Sequence, residues 1–213
     1  MIIAVDGPAA SGKGTLARRI AARMGFAYLD TGKLYRAVGL AVVRAGRDPS
    51  DPGAAEAAAR ALDPGALEDE ALAGDEAAQA ASKVAAIPSV RAVLLDFQRA
   101  FAAEPPGAVI DGRDIGTVVC PDADIKFFVT ASAEIRAERR HKELLNRGEA
   151  IIYARVLQDL KERDARDSTR SVAPMKPAED AIVLDTTDLD ADAAFAAAVG
   201  HIEAVSGGGV RAG

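Results

Sequence analysis

Apolar positions along the chain fall into two alternating rhythms. Ile2-Ile3-Ala4-Val5-Asp6 is a continuous run of β-branched character, the mark of a strand buried on both faces. Glycine ends it, and over residues 13–24 Leu16, Ile20 and Met24 recur at helical spacing with Arg18, Arg19 and Arg23 off that stripe. Residues 26–30 predict a second strand. Thr31 is placed to cap a helix running to about Ala45, before the turn Gly46-Arg47-Asp48-Pro49. Residues 82–103 regain a helical period through Val90, Leu94 and Phe97, with Pro88 where a first turn tolerates it, until Glu104-Pro105-Pro106-Gly107 stops the helix. Residues 108–110 and 125–129 are short apolar runs suited to buried strands. Charged helices over roughly 133–147 and 151–167, a strand at 181–184 and a helix near 191–205 follow, and residues 206–213 read as a frayed end. Strand alternating with helix predicts an α/β fold with a parallel sheet. Residues 48–81 break the rhythm: Pro49, Pro52, Gly53, Pro64, Gly65 and Gly74 punctuate short Ala- and Glu-rich pieces, which reads as an acidic insertion.

Composition narrows the class. The 213 residues carry 26 Lys or Arg against 32 Asp or Glu, a net −6, and 49% of them are apolar, enough for one domain with a core. Ala supplies 48 positions and aromatics 4%, so the core is built from small aliphatic side chains. An acidic balance without Trp argues against nucleic acid as the main partner. One cysteine, Cys120, and two isolated histidines, His141 and His201, exclude a disulfide framework and a Cys/His zinc site, and are read as packing or surface residues. With no charged leader and no run of 18 apolar residues, neither export nor membrane insertion is expected, and the cytoplasm is the expected location.

Gly7-Pro8-Ala9-Ala10-Ser11-Gly12-Lys13-Gly14-Thr15 carries the Gly-x4-Gly-Lys part of the P-loop pattern between a predicted strand and helix. Glycines let the backbone turn its N–H groups inward, the helix N-terminus adds a positive dipole, and Lys13 adds a full charge, so a polyphosphate is the expected ligand. Gly14 stands where a Ser or Thr usually ligates Mg²⁺. That form resembles the nucleoside monophosphate kinases, in which phosphates and water largely hold the ion.

Two polyanions brought together need extra cations, since like unit charges 4 Å apart repel by about 4 kcal/mol at an effective dielectric of 20. Residues 136–170 hold ten Lys or Arg against seven acids. Arg136, Arg139 and Arg140 fall at i, i+3, i+4, and Arg163, Asp167 and Arg170 at i, i+4, i+7, so each set is expected to share a helix face. The alternative for this stretch is a solvated pair of helices laced by Asp159 with Arg163 and Glu162 with Arg166. Asp111-Gly112-Arg113-Asp114 follows a predicted strand, at the strand ends where parallel sheets bind ligands, and Arg113 has the fork that suits phosphate. A simple loop ion pair between Arg113 and Asp114 is its alternative.

Five pieces in order resemble the bacterial cytidylate kinase family: the P-loop; Leu29-Asp30-Thr31-Gly32 with Tyr35-Arg36; residues 81–88 with Val90-Arg91; residues 111–119; and Glu162-Arg163-Asp164 through Val172-Ala173-Pro174. The resemblance implies a P-loop kinase fold with a five-stranded parallel sheet flanked by helices. Its core would span 1–30 and 104–213, with a short lid at about 146–168, and 31–103 would form the acceptor-binding insertion. It implies a cytoplasmic monomer moving the γ-phosphoryl of ATP, with Mg²⁺, to CMP or dCMP in pyrimidine nucleotide metabolism. Residues 7–15 would bind ATP, Arg36, Arg113 and Arg170 would meet the acceptor phosphate, Thr31, Arg163 and Asp167 would lie near the sugar, and Ser82, Arg91 and Asp114 would read the base. A carboxylate such as Asp114 accepts from the N4 amine of cytosine and repels the O4 of uracil. Lys13, Arg113, Arg139 and, beside it, Arg140 are expected to stabilise the transferring group, and Asp111 to orient hydrated Mg²⁺. Where the family carries a β-hairpin and an Arg-Thr-x-Glu-Val run, residues 64–76 stand abbreviated. The rival readings are a kinase for another small acceptor, UMP, AMP or a metabolite, and a non-catalytic ATP-binding switch.

Overall fold

The computed structural model describes residues 1–208. Five strands, β1 (Ile2–Asp6), β2 (Ala27–Asp30), β3 (Ala108–Gly112), β4 (Ile125–Thr130) and β5 (Ile182–Asp185), form one sheet in the order β2-β3-β1-β4-β5, with every pairing parallel. The expected α/β architecture is therefore present. Register matters most at the C-terminal ends, where Val5 pairs with Asp111 and Asp6 with Gly112, so the two Gly-containing loops leave the sheet side by side. Among the described residues no helix is long and apolar enough to cross a membrane.

Both faces of the sheet are covered, which is why β1 and β3 read as unbroken apolar runs. On one face α1 (Lys13–Met24) and α8 (Ala191–Gly208) set Leu16, Ile20, Ala198 and Ile202 on Ile3, Val5, Phe127 and Val129. On the other, Ala4, Leu29 and Ile110 meet Ile115, Val119 and the buried thiol Cys120. The backbone of α8 continues to Gly208; of the tail expected to fray, residues 209–213 lie outside the described residues.

The stretch from 31 to 103, expected to form the insertion, is helical. It comprises α2 (Thr31–Arg44), α3 (Pro52–Arg60), two 3-10 turns over Pro64–Glu68 and Glu70–Ala73, α4 (Asp75–Val84) and α5 (Pro88–Ala102), with no strand among its described residues. Leu34, Val38, Ala55, Ala81, Val84, Val90 and Leu94 give it a core of its own. Residues 82–103 are not one helix. Pro88 lacks an N–H and disfavours helical backbone at Ile87, whose ψ is 117°, so α4 stops and α5 starts with Pro88 in its first turn. Phe97, expected on the buried stripe, is 42% exposed, because the inner face follows Val90, Leu94 and Gln98 at i, i+4, i+8. Asp30 rather than Thr31 caps α2, its carboxylate accepting from Lys33 N at 3.1 Å. Phe26 precedes β2, since its N–H closes the end of α1 on Ala21 O.

The charged region folds as α6 (Ala133–Asn146) and α7 (Tyr153–Thr169), which pack through Ala137, Leu144, Val156 and Leu160 onto Ala9 of the P-loop. Arg170 lies just past α7 in extended backbone, so it does not share a helix face with Arg163 and Asp167 as the spacing predicts.

Candidate active site

The P-loop is bent as its glycines allow. Gly7 has φ 146°, and a Cβ there would stand 2.0 Å from Val129 O; Gly12, at φ 90°, opens α1. Pro8, Ala9 and Ala10 arch over the turn, with Ala10 itself at φ 59°. A cavity of about 380 Å³ lies on the stretch expected to bind the donor, hence the donor cavity, and is lined by Ala10, Ser11, Gly12, Thr15 and Arg139 and by Thr186, Leu189 and Asp190 after β5. Ser11 Oγ is buried without a hydrogen-bond partner. An orphaned hydroxyl beside backbone donors at a helix N-terminus suits a phosphate oxygen.

A junction cavity of about 340 Å³ adjoins it, where Lys13, Arg18, Lys33, Arg36, Arg113, Arg140 and Arg163 outnumber the acids Asp30, Asp75, Glu143 and Asp159. Burial lowers the Lys13 ammonium to about 8, helped by Arg113 and opposed by Asp111 and Asp30. Burial, followed by repulsion from Arg113, lowers Arg163 to about 10. Buried Arg36 Nε and Arg163 Nε have no hydrogen-bond partner. Crowded, desolvated cations with free donors are a site short of negative charge.

A third cavity, of about 110 Å³, opens from Lys13 and Gly14 and is lined by every residue expected to touch the acceptor. Arg36 is held by Asp30 at 2.7 Å, and Arg113 by Asp167 at 3.2 Å and its neighbour Gly112 O at 3.1 Å. Arg163 lies 3.8 Å from the same Asp167. Thr31 donates to Asp111 O at 2.8 Å, leaving its lone pairs for a ligand. At the far end, buried Asp114 is clasped by Arg91 and by Arg170, the latter at 3.2 Å. Arg91 lies under Tyr35, 5.6 Å from the ring centroid. Ser82, buried at the end of α4, completes the wall. Arg170, expected at the acceptor phosphate, thus spends its guanidinium on Asp114 and on Ala173 O at 2.6 Å.

Neither ion pair of the solvated-helix alternative forms: Asp159 pairs with Arg155, and Arg166 leaves Glu162 for Ser82 and Gln79. Arg113 pairs with Asp167, not with Asp114. Arg139 faces the donor cavity, donating to Thr186 O at 2.6 Å, and Arg140 is the one of the pair that lines the junction. His141 Nε2 lies 2.9 Å from Ile151 O and His201 packs edge-on to Phe127, outside all three cavities.

Asp111 is buried at the end of β3, accepts from Tyr28 Oη at 2.6 Å and has its pKa raised, by burial first, against the pull of Lys13. Among the described residues no group of three or more His, Cys, Asp or Glu could hold a metal. A divalent ion here would rest on ligand phosphates and water, with Asp111 as the available carboxylate. Tyr28 and Thr186 escaped the sequence reading, and Asp30 entered it as part of a motif without a role of its own. Asp30 and Thr186 each end or directly follow a strand, which was the usable signal; nothing in the sequence links Tyr28 to Asp111.

A P-loop cradle and a cationic junction that shares Lys13, Arg36, Arg113 and Arg163 with a third cavity are the marks of a P-loop phosphotransferase. Comparison with known families is more particular: residues 3–204 match the cytidylate kinase family model, and the chain belongs to that family. It is 67% identical over 204 residues to a cytidylate kinase of Paramagnetospirillum magneticum, covering 94% of this chain and 97% of that one. To a cytidylate kinase of Rhodospirillum rubrum it is 63% identical over 203 residues, 93% and 95% of the two chains. Among solved structures, an uncharacterized protein from Eubacterium ventriosum shares the fold at a TM-score of 0.54, with 15% identity over 95% of this chain and 98% of that chain.

Proposed function

We propose that the chain transfers the γ-phosphoryl of ATP to CMP or dCMP, giving CDP or dCDP and ADP in pyrimidine nucleotide metabolism, with the three cavities holding donor, transferring group and acceptor. The family supplies the reaction; the observation that carries the site assignment is the convergence of residues from five separate stretches on one cavity that shares Lys13 with the junction.

The acceptor is a phosphate oxygen, already anionic near neutrality because its second pKa is about 6, so no general base is required. Catalysis is then positioning and charge stabilisation. Ser11 and the P-loop amides seat the donor phosphates. Lys13 bridges donor and acceptor, and Arg36, Arg113 and Arg163 draw the acceptor phosphate into line. Arg140, from α6, takes the stabilising role expected first of Arg139, while Arg139 shapes the donor cavity. Mg²⁺, when bound, would neutralise donor phosphate charge, with Asp111 holding one of its waters. The region from about 146 to 168 acts as the lid, excluding water that would hydrolyse ATP. Asp114 keeps one lone pair on each oxygen after Arg91 and Arg170 are satisfied, enough to accept from a cytosine amine. The protein acts in this reading as a cytoplasmic monomer.

ADP release measured across the common nucleoside monophosphates at fixed MgATP tests the reading. CMP and dCMP should exceed UMP and AMP, and Asp114→Asn should erode the preference for CMP over UMP. ATP binding without CDP formation would favour the switch reading instead.

A further inference from the structure

Arg166 lines none of the three cavities, yet it is the residue through which α7 touches the base-reading wall. Its Nε lies 3.2 Å from Ser82 Oγ and its Nη2 3.2 Å from Gln79 Oε1. Ser82 and Gln79 stand three apart on α4, so one planar guanidinium is pinned at two points of a single helix face. On α7, Arg166 stands three residues after Arg163 and one before Asp167, both on the acceptor cavity.

The direction of this bond is fixed. Arginine carries donors only and stays charged, so Ser82 Oγ must be the acceptor. The serine proton is then not shared with Arg166, and Ser82 donates no hydrogen bond elsewhere among the described residues. A hydroxyl that accepts from a cation is also a stronger donor in its turn. It faces the cavity whose other wall holds Asp114, an acceptor.

From this geometry we propose that Arg166 is a positioning residue that presets Ser82 as a donor toward the ring N3 of the bound pyrimidine. Cytosine N3 accepts such a bond. Uracil N3 bears a proton, and Ser82 could accept it on its second lone pair only by turning its own proton to where no acceptor among the described residues receives it. Asp114 and Ser82 would thus present an acceptor beside a donor, the complement of the cytosine N4–H and N3 pair. Because Arg166 belongs to the lid helix and Ser82 to the insertion, the second half of this test operates only when the two are together. Correct base and closed lid then favour each other. The inference rests on the proposed placement of the acceptor base.

The experiment is a double-mutant cycle read with two acceptors. Arg166→Met should lower kcat/KM for CMP about tenfold while leaving UMP within about twofold, the size of one hydrogen bond to a charged group. Ser82→Ala should do the same, and the double variant should be no worse than either single. Arg166→Lys, which keeps a donor but cannot span both α4 groups, should recover most of the CMP rate, and a thermal melt of each variant accompanies the kinetics. Equal losses for CMP and UMP, no loss for either, or losses that multiply in the double variant would overturn the proposal. A wild-type enzyme indifferent to CMP and UMP would instead remove the base placement itself. Loss of preference in Asp114→Asn but not in Arg166→Met would sink the Arg166 role alone.

Discussion

Lys13 enters the junction with its charge already weakened. Burial brings its pKa to about 8, with Arg113 and Arg163 pressing in the same direction and Asp111 and Asp30 against it. Donor phosphates arriving at the P-loop favour the ammonium form and must raise that value, so ATP binding takes up protons where free Lys13 is half neutral. Calorimetry at pH 8 in buffers of different ionisation heat should show proton uptake on ATP binding that fades toward pH 6. Lys13→Met should abolish the uptake and lower kcat by about 100-fold or more. The same shift has a stability counterpart. A base depressed below its unfolded value binds fewer protons when folded between about pH 8 and 10.5, so it weighs against folding in full below 8 and progressively less as pH rises. Lys13→Met should therefore raise the melting temperature of the ligand-free protein at pH 7, by roughly 2–4 °C per kcal/mol regained, with the gain shrinking toward pH 10. At this scale the sequence was most legible where a motif fixes geometry, as at Gly7, Gly12 and Lys13. It was least so for Arg139, Arg140 and Arg170, whose charge is plain in the sequence but whose partners, Thr186, Ala73 and Asp114, are set only by folding.

Helix α2 and helix α4 hold the acceptor side together through an unusually close approach. A Cβ on Gly39 would stand 2.8 Å from the backbone carbon and the Cβ of Ala80, two residues before Ser82. Gly39→Ala must push α4 outward and Ser82 with it. Denaturant unfolding should show a loss of about 1–3 kcal/mol, the usual cost of overpacking. The KM for CMP should rise while that for ATP stays put, because the donor cavity takes no residue from either helix. An equal rise in both constants would mean that the insertion does not act as a unit of its own. The same alanines explain why this region was hard to read. Ala55, Ala59, Ala77, Ala80 and Ala81 are buried, yet in sequence a buried alanine looks like an exposed one and leaves no amphipathic stripe. Gln98 misled in the opposite way, since a polar residue 2% exposed on the inner face of α5 moved the expected stripe to Phe97. The central strands posed less difficulty, because β1, β3 and β4, buried almost throughout, show as short branched apolar runs.

The molecule as a whole is acidic while its cleft is not, and that opposition governs how ligands reach it and what they do to it. A net charge of −6 repels free nucleotides at long range, whereas Lys13, Arg36, Arg113, Arg140 and Arg163 attract them within the cleft. The junction holds cations that burial first, and mutual repulsion second, makes costly, as the lowered Arg163 pKa shows, and an anion offsets both. Ligand stabilisation should therefore follow phosphate more than base. CMP at about 100 times its Kd should stabilise the fold by about 2.7 kcal/mol, whereas cytidine at the same concentration should leave the melting temperature within a degree. Salt should shrink the CMP effect as the Debye length falls from about 10 Å at 0.1 M toward 3 Å at 1 M, though incompletely, since buried pairs are screened less than exposed ones. Equal shifts from cytidine and CMP would place the binding energy in the base end, at Asp114, Arg91 and Ser82, and would leave the junction arginines without their assigned ligand. A CMP shift indifferent to salt would say that Asp30 and Asp167 already neutralise those arginines before the phosphate arrives.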